Sequence, residues 1–209
     1  MKKPLFIYGS GGLGKEVLSM MKVLEDWEPR GFFDDGKTRG SSVKNLPVMG
    51  GWREVANLSD DDFLILAIGN PQLKRELVEK ISVSGKRFAT VVHPAAILQE
   101  ESTIALGEGT IVTAGVVLTC DIQIGQHVLL NLNATIGHDT TVGNFSSVMP
   151  GVNISGEVKI GEGVMIGSGA SILNRVQVGN SSRVGMGSVV LWDVEAHTTV
   201  AGVPANKIK

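Results

Sequence analysis

His138 and Asp139 are the side chains in this sequence best suited to moving a proton. A neutral imidazole near pH 7 is a good general base, and a neighbouring carboxylate can fix its tautomer. On spacing alone, a solvated surface histidine beside an unrelated acid is the alternative; His127 shares the same outward register. A second group is Gly9-Ser10-Gly11-Gly12-Leu13-Gly14, followed at Asp34–Asp35 by an acidic pair. Glycines there let a backbone approach a phosphate, a helix start supplies N–H donors, and an acid about twenty residues on can hold a ribose hydroxyl. No Gly-x-Ser-x-Gly motif occurs at a strand-to-helix turn. Cys120 is alone, and no His or carboxylate group has metal-ligand spacing. Direct transfer without a covalent enzyme intermediate and without a metal is the expected chemistry.

Two kinds of element must position these groups. From Leu106 to Val190, every sixth residue is Val, Ile or Leu: Leu106, Val112, Leu118, Ile124, Leu130, Ile136 and onward without a skipped register. Four places after each anchor the side chain is small or branched, and Gly often follows the anchor directly, as at Gly107, Gly137 and Gly167. A period of six is neither helical nor simple strand alternation. It predicts a parallel β-solenoid of three short strands per coil, almost five coils long, with stacked aliphatic anchors and glycines in turns that need positive φ. In that register the third place of each hexad, which holds His138 in Ile136-Gly137-His138-Asp139, points outward.

The N-terminal part alternates strands and helices. Strands are expected at Pro4–Tyr8, Gly31–Phe33, Asp62–Ile68 and Phe88–Val92, with helices carrying Val17, Leu18, Met21 and Leu24, and Leu73 to Ile81. Such alternation implies a parallel, Rossmann-like sheet with ligands at the strands' carboxyl ends. Gly9–Gly14, Asp34–Asp35 and Gly69–Asn70 fall at that edge. The unit is short for a dinucleotide, so a mononucleotide or nucleotide-sugar is expected. His93-Pro94 marks the boundary. Residues 1–93 are read as a nucleotide-sugar-binding domain and 94–209 as the solenoid with a C-terminal tail. Ala95 to Ala105 enters the repeat imperfectly, as a cap, and the repeat is expected to stop after Val190, with Trp192 to His197 irregular.

A net charge of −2 gives no basic field for nucleic acid. The apolar run at the N-terminus is too short for a signal peptide or a membrane span, so a cytoplasmic protein with no membrane partner is expected. Arg175, Arg183 and Lys207 are cations that phosphates could meet, although isolated surface cations more often keep a face soluble.

With these residues in view, the whole chain resembles the bacterial left-handed β-helix acyltransferases that acetylate sugars from acetyl-CoA. These include sialic-acid O-acetyltransferases and nucleotide-linked 4-amino-sugar N-acetyltransferases. Tyr-Gly-Ser-Gly-Gly at 8–12, Phe-Asp-Asp at 33–35, Ala-Ile-Gly-Asn at 67–70, Val-His-Pro at 92–94, Ile-Gly-His-Asp at 136–139 and Gly-Val-Pro-Ala at 202–205 carry the resemblance. It implies a left-handed coil, a homotrimer with active sites between solenoids, and His138 as the base, oriented by Asp139, that deprotonates the sugar amine or hydroxyl. It implies Asn131 near the acceptor, Gly11, Gly12, Asp34 and Asp35 as nucleotide-sugar contacts, and acetyl-CoA along Ser147, Gly156, Ser168 and Met186. Leu13 and Ser147 stand where some members carry His, and Asn206 where many carry Lys or Arg. N-acetylation of a nucleotide-linked amino sugar is the leading expectation. O-acetylation of a sialic acid and a non-catalytic trimeric sugar-nucleotide scaffold are the alternatives.

Overall fold

The computed structural model describes residues 2–82 and 85–209. The chain divides into two compact units, one built from residues up to 69 with 73–90, the other from 70–72 with 91–209.

In the first unit, β1 (Lys3–Tyr8) leads through the glycine turn into α1 (Gly12–Met21), and β2 (Trp27–Phe33) follows. A short hairpin of β3 (Ser42–Val43) and β4 (Leu46–Pro47) follows. Then come β5 (Phe63–Leu66), α2 (Pro71–Ser82) and β6 (Arg87–Phe88). Among the described residues the sheet order is β2-β1-β5-β6, all parallel. β2 begins four residues earlier than expected; Pro29 hides it in the sequence because it has no N–H for the ladder. The register slips there, and the edge position tolerates it. Phe6, Tyr8, Phe33, Leu64, Leu66, Leu77 and Ile81 form one buried cluster. Leu24 lies outside α1, which closes in tight turns, Val23 N–H to Met20 O and Leu24 N–H to Met21 O.

Lys74 of α2 is 2% exposed, and burial pulls its ammonium down to about 7. An unfolded chain keeps that proton up to about pH 10.5, whereas the folded chain keeps it only below about 7. Stability from this site therefore rises with pH across that window and is lost as pH falls through it. The stability of Lys74→Met relative to the parent is expected to be higher at pH 6 than at pH 10 by a few kcal/mol. Urea unfolding of both proteins at the two pH values measures this.

The second unit is a parallel β-solenoid of about six turns. Its first face stacks Val91–Val92, Ile111–Val112, Leu129–Leu130, Ser147–Val148, Met165–Ile166 and Arg183–Val184. The second stacks Ile97–Leu98, Val117–Leu118, Thr135–Ile136, Asn153–Ile154, Ser171–Ile172 and Val189–Val190; the third runs from Ile104–Leu106 to Gln177–Val178. Anchors pair directly across coils, Leu118 with Ile136 and Ile136 with Ile154, and from Val112 to Val190 all are buried. Each rung covers the next, so burial is cooperative. Buried hydroxyls close the turns: Thr110 donates to Gly125 O at 2.9 Å and Ser146 to Gly161 O at 2.9 Å.

Three expectations change here. Phe88–Val92 is not one strand; Phe88 ends the first unit's sheet and Val91–Val92 opens the solenoid. The repeat does not stop at Val190. Val194 bridges Val178, and Thr199–Gly202 pairs with Arg183–Val184, which with the first coil at residue 91 makes about six turns rather than five. Nor do the glycines after the anchors carry the positive φ. That conformation falls two residues later, at Asp121, His127, Asp139 and their equivalents, with φ of 54°, 54° and 56° for those three. Gly107, Gly137 and Gly167 are glycine because a Cβ would lie 2.5–2.6 Å from the backbone of the next coil. No helix among the described residues is long and apolar enough to cross a membrane.

Candidate active site

His138 sits on the corner between the second and third faces. Thr135–Ile136 ends there, Gly137 passes close to the next coil, and Asp139 turns the chain with φ 56°. Neighbouring coils clamp this corner: Asp139 N–H donates to Cys120 O at 3.3 Å and Glu157 N–H to His138 O at 2.7 Å. His138 Nδ1 lies 2.8 Å from Asp139 Oδ2, and the side chains are 55% and 60% exposed. An ionised carboxylate only accepts, so Nδ1 carries the hydrogen of a neutral ring and Nε2 keeps its lone pair. An exposed pair of this kind adds only about 0–1 kcal/mol to stability. Its consequence is orientation. The arrangement presents a base with a fixed tautomer to whatever lies beyond Nε2.

Gly156 lies one coil further along the same corner; a Cβ there would fall 2.5 Å from His138 Nε2. Asp139, Glu157, Lys159, Arg175 and Gln177 line an adjoining recess of about 480 Å³. The Arg175 guanidinium is held by Glu157, both carboxylate oxygens lying 3.1 Å from Nε, so it does not stand free for a phosphate. Lys207 is likewise held by Glu195 at 2.8 Å, while Arg183 is exposed on the first face.

The other expected solenoid residues lie elsewhere. Asn131 is buried at the corner between the first and second faces, its Oδ1 accepting from Leu132 N–H at 2.8 Å. Ser168 and Met186 stack along that corner, Met186 78% exposed. Ser147, on the first face, is 0% exposed. His127 is not solvated; it is 4% exposed with its ring stacked on Phe145, centroids 5.5 Å apart. One chain thus carries two separate candidate edges, with the second face between them. Among the described residues no group of three or more His, Cys, Asp or Glu is placed to hold a metal ion.

In the first unit the glycine turn divides its work. Gly9 has φ +95°, and a Cβ on Gly14 would lie 1.9 Å from Gly9 O, so strand and helix meet without room for a side chain. Around Gly11 and Gly12 there is open space, and Gly11 stands at the start of α1 with no side-chain cap. First-turn N–H groups are left for an anion. Leu13 is half-buried in that turn.

Asp34 braces the turn: Oδ2 accepts from Ser10 N–H at 2.8 Å and Ser10 Oγ at 2.6 Å, and Oδ1 from Gly36 N–H at 2.9 Å. Partial burial pushes this carboxyl up, but the Ser10 and Gly36 hydrogen bonds outweigh it and hold it below the usual range. Asp35 accepts from the Tyr8 hydroxyl at 2.5 Å and from Trp52 N–H at 3.1 Å. Burial, and then this bond, push the Tyr8 phenol up. Both acids would meet a ligand hydroxyl only through remaining lone pairs. They border a recess of about 220 Å³ with Lys37, Arg39, Trp52 and Arg53. Ser10, Tyr8 and Trp52 were not singled out from sequence; Ser10 meets its acid across 24 positions, a separation no local pattern signals. Gly69 follows β5 at the carboxyl edge of the sheet, and Asn70 Oδ1 accepts from Gln72 N–H at 3.0 Å, capping α2.

Residues 4–81 match the family model of the PglD N-terminal domain, and residues 157–191 that of the bacterial transferase hexapeptide (six repeats). UDP-N-acetylbacillosamine N-acetyltransferase of Bacillus subtilis (strain 168) is 31% identical over 114 residues, 54% of this chain. The match spans 52%, about half, of that relative's length. The acetyltransferase domain of PglB from Neisseria gonorrhoeae FA1090 superposes with a TM-score of 0.92 at 31% identity, over 99% of this chain and 100% of that one. That domain has also been solved in complex with acetyl coenzyme A. PerB from Caulobacter crescentus, in complex with CoA and GDP-perosamine, superposes with a TM-score of 0.91 at 28% identity, over 99% of this chain and 97% of its own.

Proposed function

Because the chain belongs to the hexapeptide-repeat sugar acetyltransferases with a PglD-type N-terminal domain, we propose that it transfers the acetyl group of acetyl-CoA to the amino group of a nucleotide-linked amino sugar. The observation that carries the chemistry is the 2.8 Å bond between His138 Nδ1 and Asp139, which leaves Nε2 open on an exposed corner. The sugar amine attacks the thioester carbonyl carbon while Nε2 takes its proton. The tetrahedral intermediate then collapses, breaking the C–S bond, and the released thiolate takes a proton. A thioester is already activated, so alignment of the two substrates supplies much of the rate and the base about 10²–10⁴-fold.

In this reading residues 1–93 hold the nucleotide-sugar at the open Gly11–Gly12 turn, with Leu13, Asp34, Asp35, Gly69 and Asn70 around it. Residues 94–209 carry the transfer. His138, Asp139 and Gly156 occupy one corner, Asn131, Ser168 and Met186 another, so a complete site needs the second group from a neighbouring copy. A homotrimer, with each corner facing the next subunit, supplies that. Acetyl-CoA then lies against Gly156 of one chain and Ser168 and Met186 of the next.

The test is transfer from labelled acetyl-CoA to a panel of nucleotide-linked 4-amino sugars and sialic acids. Label in an amide on a nucleotide-linked sugar is the expected result. Label only in esters of sialic acid would replace it with O-acetylation, and no transfer at all would leave a trimeric binding scaffold.

A further inference from the structure

We propose that Gly156 is a positioning residue for the His138 imidazole: it keeps the ring against Asp139 by leaving empty the space a side chain would fill. The inference rests on His138 being the base of the proposed reaction.

Three observations point to it. First, the repeat does not ask for glycine here. Gly156 occupies the third place of its hexad, a place held by Glu108, Gln126, Asn144, Glu162 and Asn180 along one corner and by His138 itself one coil earlier. Second, the backbone does not ask for it either, since Gly156 has none of the positive φ values that mark the turns. Third, the ring does. A Cβ on Gly156 would lie 2.5 Å from His138 Nε2, 2.6 Å from Cε1 and 2.8 Å from Cδ2, all far inside contact distance.

The floor cannot retreat. Glu157 N–H is bonded to His138 O at 2.7 Å, and Gly156 O accepts from Arg175 N–H at 3.2 Å. On its near side Gly137 approaches so closely that its own Cβ would lie 2.6 Å from Gly156 N. An added methyl would therefore be relieved by the imidazole, which has solvent on its other side. Rotating away takes Nδ1 off Asp139 Oδ2 and carries Nε2 from the place where the attacking amine must meet it. Misplacing a catalytic group by about 1 Å costs on the order of 10²-fold in rate.

The experiment is a double-variant cycle of Gly156→Ala and His138→Ala, with three readouts: turnover, coenzyme A affinity by calorimetry, and the imidazole ¹⁵N resonances of His138. Gly156→Ala should lower kcat about a hundredfold and move the His138 Nδ1 resonance away from that of a carboxylate-bonded N–H, and any change in coenzyme A Kd should be the same with and without the His138 ring. In the His138→Ala background, with no ring to displace, its effect on residual turnover should be at least about tenfold smaller than in the wild type. If the single variant melts at lower temperature, the double variant should recover the loss. An equal fall in turnover in both backgrounds, or an unaltered His138 spectrum in Gly156→Ala, overturns the proposal. Wild-type turnover in His138→Ala would instead remove the base, while the spectrum still reports whether Gly156 holds the ring.

Discussion

His138→Ala is expected to lower turnover between about a hundredfold and ten-thousandfold, the range general-base catalysis supplies. Without the imidazole, the attacking amine must lose its proton to water, and Asp139 loses its partner. Residual transfer survives because the thioester stays activated and both substrates remain aligned. Coenzyme A affinity should be nearly unchanged, since the ring is directed at the attacking group. Stability should also hold within about 0.5 kcal/mol, as for surface substitutions generally, because the imidazole is more than half exposed. Asp139→Asn should cost less, because an amide oxygen can still accept from Nδ1. Rapid-quench and steady-state rates with a nucleotide-linked amino sugar measure both variants. If His138→Ala turns over like the wild type, the corner has no part in proton transfer.

The corner that carries His138 was legible because an unbroken hexad register states which places face in and which face out. Ile136 fixed the frame, and His138 at the third place followed from it. The same logic fell short at His127, at the fourth place of its hexad. Being outward from the prism is not the same as being exposed: Phe145, one coil on, lies flat against that ring. The full burial of Ser147 is likewise not stated by its place in the repeat. Periodicity describes the inside of a solenoid and is silent about what covers its outside.

The solenoid's C-terminal end was missed because spacing drifted while burial did not. Val194 follows Val190 by four residues rather than six, yet it is buried and pairs with Val178. In the first unit, the glycine turn and acidic pair were visible as motifs, but their wiring was not. The Asp34–Ser10 and Asp35–Tyr8 bonds join positions 24 and 27 apart, brought together only when β1 and β2 pair.

Gly14→Ala and Gly11→Ala should give opposite results, although both replace a glycine of one turn with the smallest side chain. At Gly14 the new methyl would lie 1.9 Å from Gly9 O and 2.9 Å from Gly9 C. Those are backbone atoms of a turn whose own φ of +95° leaves it little freedom, so the relief is separation of α1 from β1. That separation also unpacks Val17, Leu18 and Met21 from the sheet. A loss of a few kcal/mol is expected, in the range of overpacked cores, with nucleotide-sugar binding lost alongside it. At Gly11 a Cβ meets nothing within 4 Å, so Gly11→Ala should leave the melting temperature within a degree or two of wild type. It places a methyl where a phosphate must approach the helix N-terminus, so the nucleotide-sugar KM should rise at least about tenfold with coenzyme A affinity unaltered. Calorimetric melting and titration with the nucleotide-sugar separate the two effects. Gly11→Ala binding like the wild type would move the phosphate away from this turn, and Gly14→Ala melting like the wild type would show that strand and helix have slack the structure does not.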